Sequence, residues 1–233
     1  MDEMTVLVID TATDVVVTGV GTVDGSGVRV LADRATADHR RHAEVLTTLI
    51  LGALDEAGVG RDGLDAVVVG CGPGPFTGLR VGMATGAGFG DARGLPVYGV
   101  CSLDAIAADA AQHSPAGSSM VVVTDARRRE VYWARYRDGA RISGPEVSAP
   151  AVVAESLAAQ QVDVAAGSPS HLELCGWQGQ PSLVSTPTVR GLFLASAGDV
   201  VAGVAPGPLV PLYLRRPDAV ERKDQRAKAV TPR

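Results

Sequence analysis

Aromatic residues are scarce in this chain of 233 residues, at only 4%. Its interior must therefore be built from Val, Leu and Ala. With 46% hydrophobic and 20% charged residues, the material for a sizeable core is present. A basic surplus is missing: the formal net charge is −5. That argues against a free-standing nucleic-acid-binding protein, though not against RNA contact through a local patch. Cysteine amounts to Cys71, Cys101 and Cys175, an odd set with no CxxC pair, so neither a disulfide framework nor a zinc site follows. No uncharged apolar run is long enough to span a membrane. No basic segment precedes the apolar "TVLVID" near the N-terminus, which reads as a strand and not as a signal peptide. The cytoplasm is the expected compartment.

The patterns that are present alternate between strand and helix. "TVLVID" (residues 5–10), "DVVVTGVGTV" and "GVRVLADRAT" read as three strands in a meander, with glycines at "DGSG" for a tight turn. A segment with apolar residues at helical spacing (Val45, Leu46, Leu49, Ile50, Ala53, Leu54, Ala57) follows, with Gly58 placed to stop it. "LDAVVVGCG" is a buried strand, "LPVYGV" another, and "SLDAIAADAAQ" a helix. From about Ser118 strands begin again, at residues 120–124 and 130–137, around a basic turn at Arg127, Arg128 and Arg129. "VDVAAGS" is a short strand and "TVRGLFLASAGDVVAG" a helix. The order defines an α/β chain with mixed sheets, divided into a first lobe over 1–112 and a second over 118–188. A helix at about 189–205 is expected to pack back on the first lobe, and a charged tail occupies 215–233.

"GCGPGPFTGLRVGMATGAGFG" (residues 70–90) invites comparison with phosphate-binding loops. It fails each template. A Walker loop needs GxxxxGK[ST]; Gly72 and Gly78 are too far apart and the stretch has no Lys. A GxGxxG count from Gly72 ends on Thr77, and from Gly70 on Pro75. Pro73 and Pro75 each remove a backbone N–H that a phosphate would need. On a helix starting near Thr77, Gly78, Gly82, Gly86 and Gly90 make one drifting stripe. Each interior glycine costs roughly 1 kcal/mol relative to Ala, so the stripe implies close backbone approach. Its neighbour is either the chain's own core or a second helix.

Other polar residues give weaker signals. His39 and His42 are three apart and lack a third ligand, so they read as polar surface at a helix start, not as a metal site. Ser102 and Asp104 precede a helix and read as caps. The arginine turn at 127–129 reads as a solvated hairpin tip or as a contact with RNA phosphates or a partner.

Several segments taken together resemble the TsaB (YeaZ) family. "GPGPFTGLRVG" is similar to that family's GPGSFTGLRIG, with Pro75 in place of Ser. "VLVIDTAT", "RHAEVL", "VYGVCSLDAIA", "DARRREVYWARY" (family DARRGEVYxA) and "PLYLRRPDA" match further family segments across most of the chain. The resemblance implies the actin-like ATPase fold, with two ribonuclease-H-like lobes of mixed sheets flanked by helices. It implies a non-catalytic partner or activator subunit in making N6-threonylcarbamoyladenosine (t6A) beside the tRNA anticodon. Such a subunit pairs with a catalytic TsaD-type subunit, with a TsaE-type ATPase joining, and meets tRNA through the complex. The implied contact is a helix bundle from the helices at 42–57 and 77–90, carrying His42, Leu46, Leu49, Gly78, Leu79, Arg80, Gly82, Met83 and Gly86. The same surface would make a homodimer when the chain is alone. Asp10, Thr11 and Thr13 stand where actin-like ATPases keep their metal-linked acid and phosphate loop. "TATD" lacks that loop's glycine, so they imply a degenerate nucleotide site. No cofactor is expected on the chain alone, with ATP or ADP held at the shared interface. The alternative within the superfamily is an independent small-molecule kinase.

Overall fold

The computed structural model describes residues 3–37 and 42–215, and of residues 42–44 the backbone only. His39 and all of the charged tail except Arg215 lie outside these residues. The chain opens with β1 (Met4–Asp10), β2 (Val16–Asp24) and β3 (Gly27–Thr36). Asp24 Oδ1 accepts from the N–H groups of Ser26 and Gly27, closing the turn between β2 and β3. Then follow α1 (His42–Ala57), β4 (Ala66–Gly70), α2 (Phe76–Arg93), β5 (Val97–Val100) and α3 (Ser102–Ala111).

These five strands form one sheet in the order β3-β2-β1-β4-β5. β1 pairs antiparallel with β2 and parallel with β4. The central strands are apolar on both faces, as strands covered on both sides must be. Leu7, Ile9, Val67 and Val69 face α1 and α2, against Leu46, Ile50, Leu79 and Met83. Val6, Val8 and Val68 face the other way, against Leu192 and Phe193 of the last helix.

The second half repeats the plan. β6 (Ser119–Asp125), β7 (Val131–Arg137), β8 (Ala140–Ser148) and β9 (Val164–Gly167) form a sheet in the order β8-β7-β6-β9, with β6 and β9 parallel. α4 (Pro150–Ala159) and α5 (Pro169–Leu174) cover one face through Val153 and Leu172. α3 covers the other through Ile106, Ala107 and Ala110. α6 (Val189–Val201) returns to the first sheet. It crosses α3 closely: a Cβ on Gly191 would lie 2.2 Å from the Ala105 carbonyl oxygen. α3 is thus the element between the two sheets.

Candidate functional site

The C-terminal end of β1 opens into the segment Thr11–Asp14, which faces the loop between β4 and α2. Asp10 is fully buried. Its Oδ2 accepts from Ser102 Oγ at 2.6 Å and its Oδ1 from the Ala12 N–H at 2.8 Å. Burial pushes the carboxyl up to about 6, against the opposing effect of those two bonds. The neighbouring glycines leave no space around it. A Cβ on Gly70 would lie 1.8 Å from Asp10 Oδ2, and one on Gly74 would lie 2.1 Å from the Ala12 carbonyl oxygen. Each carboxylate oxygen thus accepts one hydrogen bond from within the chain, and the side chain has no exposed surface.

Thr11 is fixed in the same way. Its hydroxyl donates to the Gly78 carbonyl at 2.7 Å and accepts from the Gly82 N–H at 3.1 Å, bridging one turn of α2. Thr13 makes a local turn with Val15. The segment that would cradle phosphates therefore packs against α2 and is tied to the first residue of α3.

Across from it lies the interlobe cleft, about 120 Å³ in volume, lined by residues including Thr13, Asp14, Pro75, Asp125, Arg127 and Ser168. The Arg127 guanidinium pairs with Asp14 of the first lobe and, at 2.9 Å, with Asp125 of the second. The Asp125 carboxylate also accepts from the Arg127 N–H. Arg127, Arg128 and Arg129 are exposed and have φ of 61°, 52° and 63°, three consecutive left-handed residues without a glycine. Each such residue costs roughly 1–2 kcal/mol.

Sequence reasoning missed one arrangement in this cleft. Ser168 Oγ lies 2.7 Å from His171 Nδ1, and His171 Nε2 lies 3.3 Å from Asp125 Oδ1. Ser168 precedes α5 and His171 sits on its first turn. The Ser168 backbone N–H is spent on the Val123 carbonyl, and the His171 N–H on the Ser168 carbonyl; Asp125 is shared with Arg127. The trio reads as a helix start anchored to the cleft wall. Burial pushes the Cys71 and Cys175 thiols up to about 11 and Cys101 up to about 12, away from the thiolate form. Among the described residues no group of three or more His, Cys, Asp or Glu side chains could hold a metal.

The residues expected at a partner contact divide by exposure. Leu46, Leu79 and Met83 are buried in the first lobe's own core. The glycine stripe faces the chain's own sheet: a Cβ would meet Thr11 Oγ1 at 2.3 Å from Gly82, Val69 at 2.3 Å from Gly86 and Val97 at 2.2 Å from Gly90. Gly78 is buried too, Leu49 is half-buried, Arg80 is exposed, and the side chain of His42 lies outside the described set. The opposite side of the same two helices is open and carries Thr47, Thr48 and Leu51 on α1 and Phe76, Arg80, Ala84, Ala87 and Gly88 on α2. α2 is apolar nearly all round, yet it is half exposed because its outer residues are small.

Two sheets built on one strand plan, with helices on both faces and the cleft between them, define the actin-like ATPase fold. A structure of YeaZ from Pseudomonas aeruginosa matches with a TM-score of 0.73 at 26% identity, covering 91% of this chain and all of that one. A second P. aeruginosa structure, described as similar to peptidase YEAZ, gives 0.75 at 29% identity with the same coverage. The family model of TsaD, tRNA N6-adenosine threonylcarbamoyltransferase, matches residues 29–173. The tRNA threonylcarbamoyladenosine biosynthesis protein TsaB of Escherichia coli is 31% identical over 193 residues, 77% of this chain and 75% of that protein. The chain belongs to the TsaB family. Uncharacterized proteins of Mycobacterium tuberculosis and Mycobacterium leprae are each 50% identical over 218 residues. The match spans 93% of the former and 55% of the latter, so the chain covers little more than half the length of the M. leprae relative.

Proposed function

We propose that this chain acts in t6A synthesis as a non-catalytic subunit that pairs with and supports a TsaD-type transferase. The role in t6A synthesis follows the E. coli relative and the matching family model. The supporting role rests on one observation: the chain's own packing fills the phosphate position. Asp10 is sealed by Ser102 and Ala12, and Thr11 is clamped onto α2. Arg127 bridges Asp14 and Asp125 across the space beside this segment. A buried acid bonded within the chain, and a following segment held on α2, suit a member that has kept the fold without the phosphate loop.

The surface for pairing is the outer side of α1 and α2. Its small residues Ala84, Ala87 and Gly88 let a partner helix approach closely. Leu51, 41% exposed, and Phe76, 51% exposed, supply apolar anchors. The same side serves for self-association when the transferase is absent. A TsaE-type ATPase and tRNA join through the complex, and ATP or ADP binds at the shared interface.

Reconstitution tests the proposal. With a TsaD-type and a TsaE-type protein supplied, t6A formation on tRNA should require this chain, and equal modification without it refutes the role. Calorimetry of the isolated chain with ATP addresses the alternative of an independent kinase. Saturable binding with turnover would replace the present proposal by that one.

A further inference from the structure

A buried positive charge in the second lobe has no counter-charge. Arg135 of β7 is only 7% exposed. Its Nε is enclosed and has no hydrogen-bond partner among the described residues. Its terminal nitrogens make no hydrogen bond or ion pair there either, but they are not enclosed. Burying a guanidinium is costly unless it is paired or holds an ion.

A second unbonded group stands beside it. Ser119 Oγ of β6 is enclosed and without a partner among the described residues. β6 and β7 pair in unbroken register, with Ser119 opposite Arg137 and Val121 opposite Arg135. Alternate residues share a face. Ser119, Arg135 and Arg137 therefore stand on the side where Val121 and Trp133 pack. Ser119 is diagonal to Arg135, within reach of a long side chain, and Arg137 is exposed. The nearby carboxylate is Asp163, just ahead of β9. Its oxygens accept from the Ser119 N–H at 2.9 Å and from Gln161 Nε2 at 3.0 Å. Arg137 is near enough to help lower this carboxyl, without an ion pair. On its other side Arg135 is paired with Ser143 of the edge strand β8, whose register slips both before and after that pair. Such bulges re-aim side chains and recur beside binding sites.

We propose that Arg135, Arg137 and Ser119 form a binding site for a phosphate group, at the opposite end of β6 from the cleft residue Asp125. The two arginines are two residues apart on one face, roughly 7 Å along the strand. A guanidinium takes two oxygens of a phosphate side by side. The anion meets the open terminal nitrogens first, and the Ser119 hydroxyl turns to donate to a further oxygen. Two guanidinium groups and a hydroxyl suit a tetrahedral phosphate better than a planar carboxylate, which has two oxygens. The site is independent of the t6A role, which stands or falls by reconstitution.

Isothermal titration of the full chain tests it, at constant ionic strength, with inorganic phosphate, with glycerol 3-phosphate and with acetate as the planar control. Saturable binding of phosphate is expected. Arg135→Met should weaken it roughly 10- to 100-fold, as loss of charge-assisted hydrogen bonds does. Arg137→Gln and Ser119→Ala should each weaken it by a smaller factor. The proposal is overturned if the wild type binds neither phosphate compound saturably, if Arg135→Met binds as the wild type does, or if acetate binds as tightly as phosphate. Should Arg135→Met not fold, the other two variants decide, and unchanged affinity in both overturns the site. Tighter binding of the ester than of the free ion assigns a phosphorylated small molecule as the ligand, and the reverse order assigns the ion itself.

Discussion

Replacing Asp10 with asparagine puts the sealed phosphate position to a quantitative test. The carboxyl has no accessible surface, and burial raises it from its ordinary 3.8 to about 6. Because the folded-state value is raised, the folded chain holds this proton more tightly than the unfolded chain. The stability linked to it is fully present below about pH 4. It declines as pH rises to about 6 and is level above. That interval corresponds to about 3 kcal/mol, at about 1.36 kcal/mol per decade of proton affinity. Asparagine has the same shape, can accept from the Ala12 N–H and can pair with the Ser102 hydroxyl, and it does not titrate. Urea denaturation of both proteins from about pH 4 to about pH 8 gives the difference in stability, in which all other titrations cancel. The wild type should lose about 3 kcal/mol relative to Asp10→Asn across the window. A pH-independent difference would mean that water reaches the carboxyl, and the case against a phosphate site there would fail.

Other substitutions separate the packing from the surface. Arg129→Gly should stabilise the chain by about 1 kcal/mol in chemical denaturation, since a φ of 63° is free for glycine and costly for arginine; a destabilised variant would show that the side chain holds the turn. Gly82→Ala places a Cβ 2.3 Å from Thr11 Oγ1 and should cost about 1–3 kcal/mol, visible as a lower Tm. Adding Thr11→Ala should recover part of that loss, and simple additivity would exclude the clamp. Ala87→Arg, on the open side of α2, should leave Tm unchanged and abolish co-elution with a TsaD-type subunit. Retained co-elution would move the pairing surface elsewhere.

Most of the first lobe was legible because its elements carry strong periods. The central strands are continuous apolar runs, and Gly58 stops α1 as its position predicts. The glycine stripe announced a close approach but not its neighbour. Gly82, Gly86 and Gly90 follow the 3.6-residue period whichever surface they meet. Only the structure places them on Thr11, Val69 and Val97. The second lobe was less legible. β8 is mostly exposed, its pairing with β7 shifts register twice, and Gly144 and Pro145 interrupt it, so no two-residue alternation survives. α4 is a helix of Ala and Val with little contrast between its faces. The cleft contacts, Arg127 with Asp14 and Arg80 with Tyr213, join residues 113 and 133 positions apart and leave no local pattern.

The bond between Asp10 and Ser102 also has a mechanical meaning. Ser102 is the first residue of α3, the helix set between the two sheets, and Asp10 ends the central strand of the first. Two-lobed nucleotide enzymes work by swinging such halves about their connecting helices. Here the start of α3 is tied to the end of β1, and Thr11 to α2. A partner that docks on α1 and α2 thereby gains a surface whose shape is already set, and loses little entropy in meeting it.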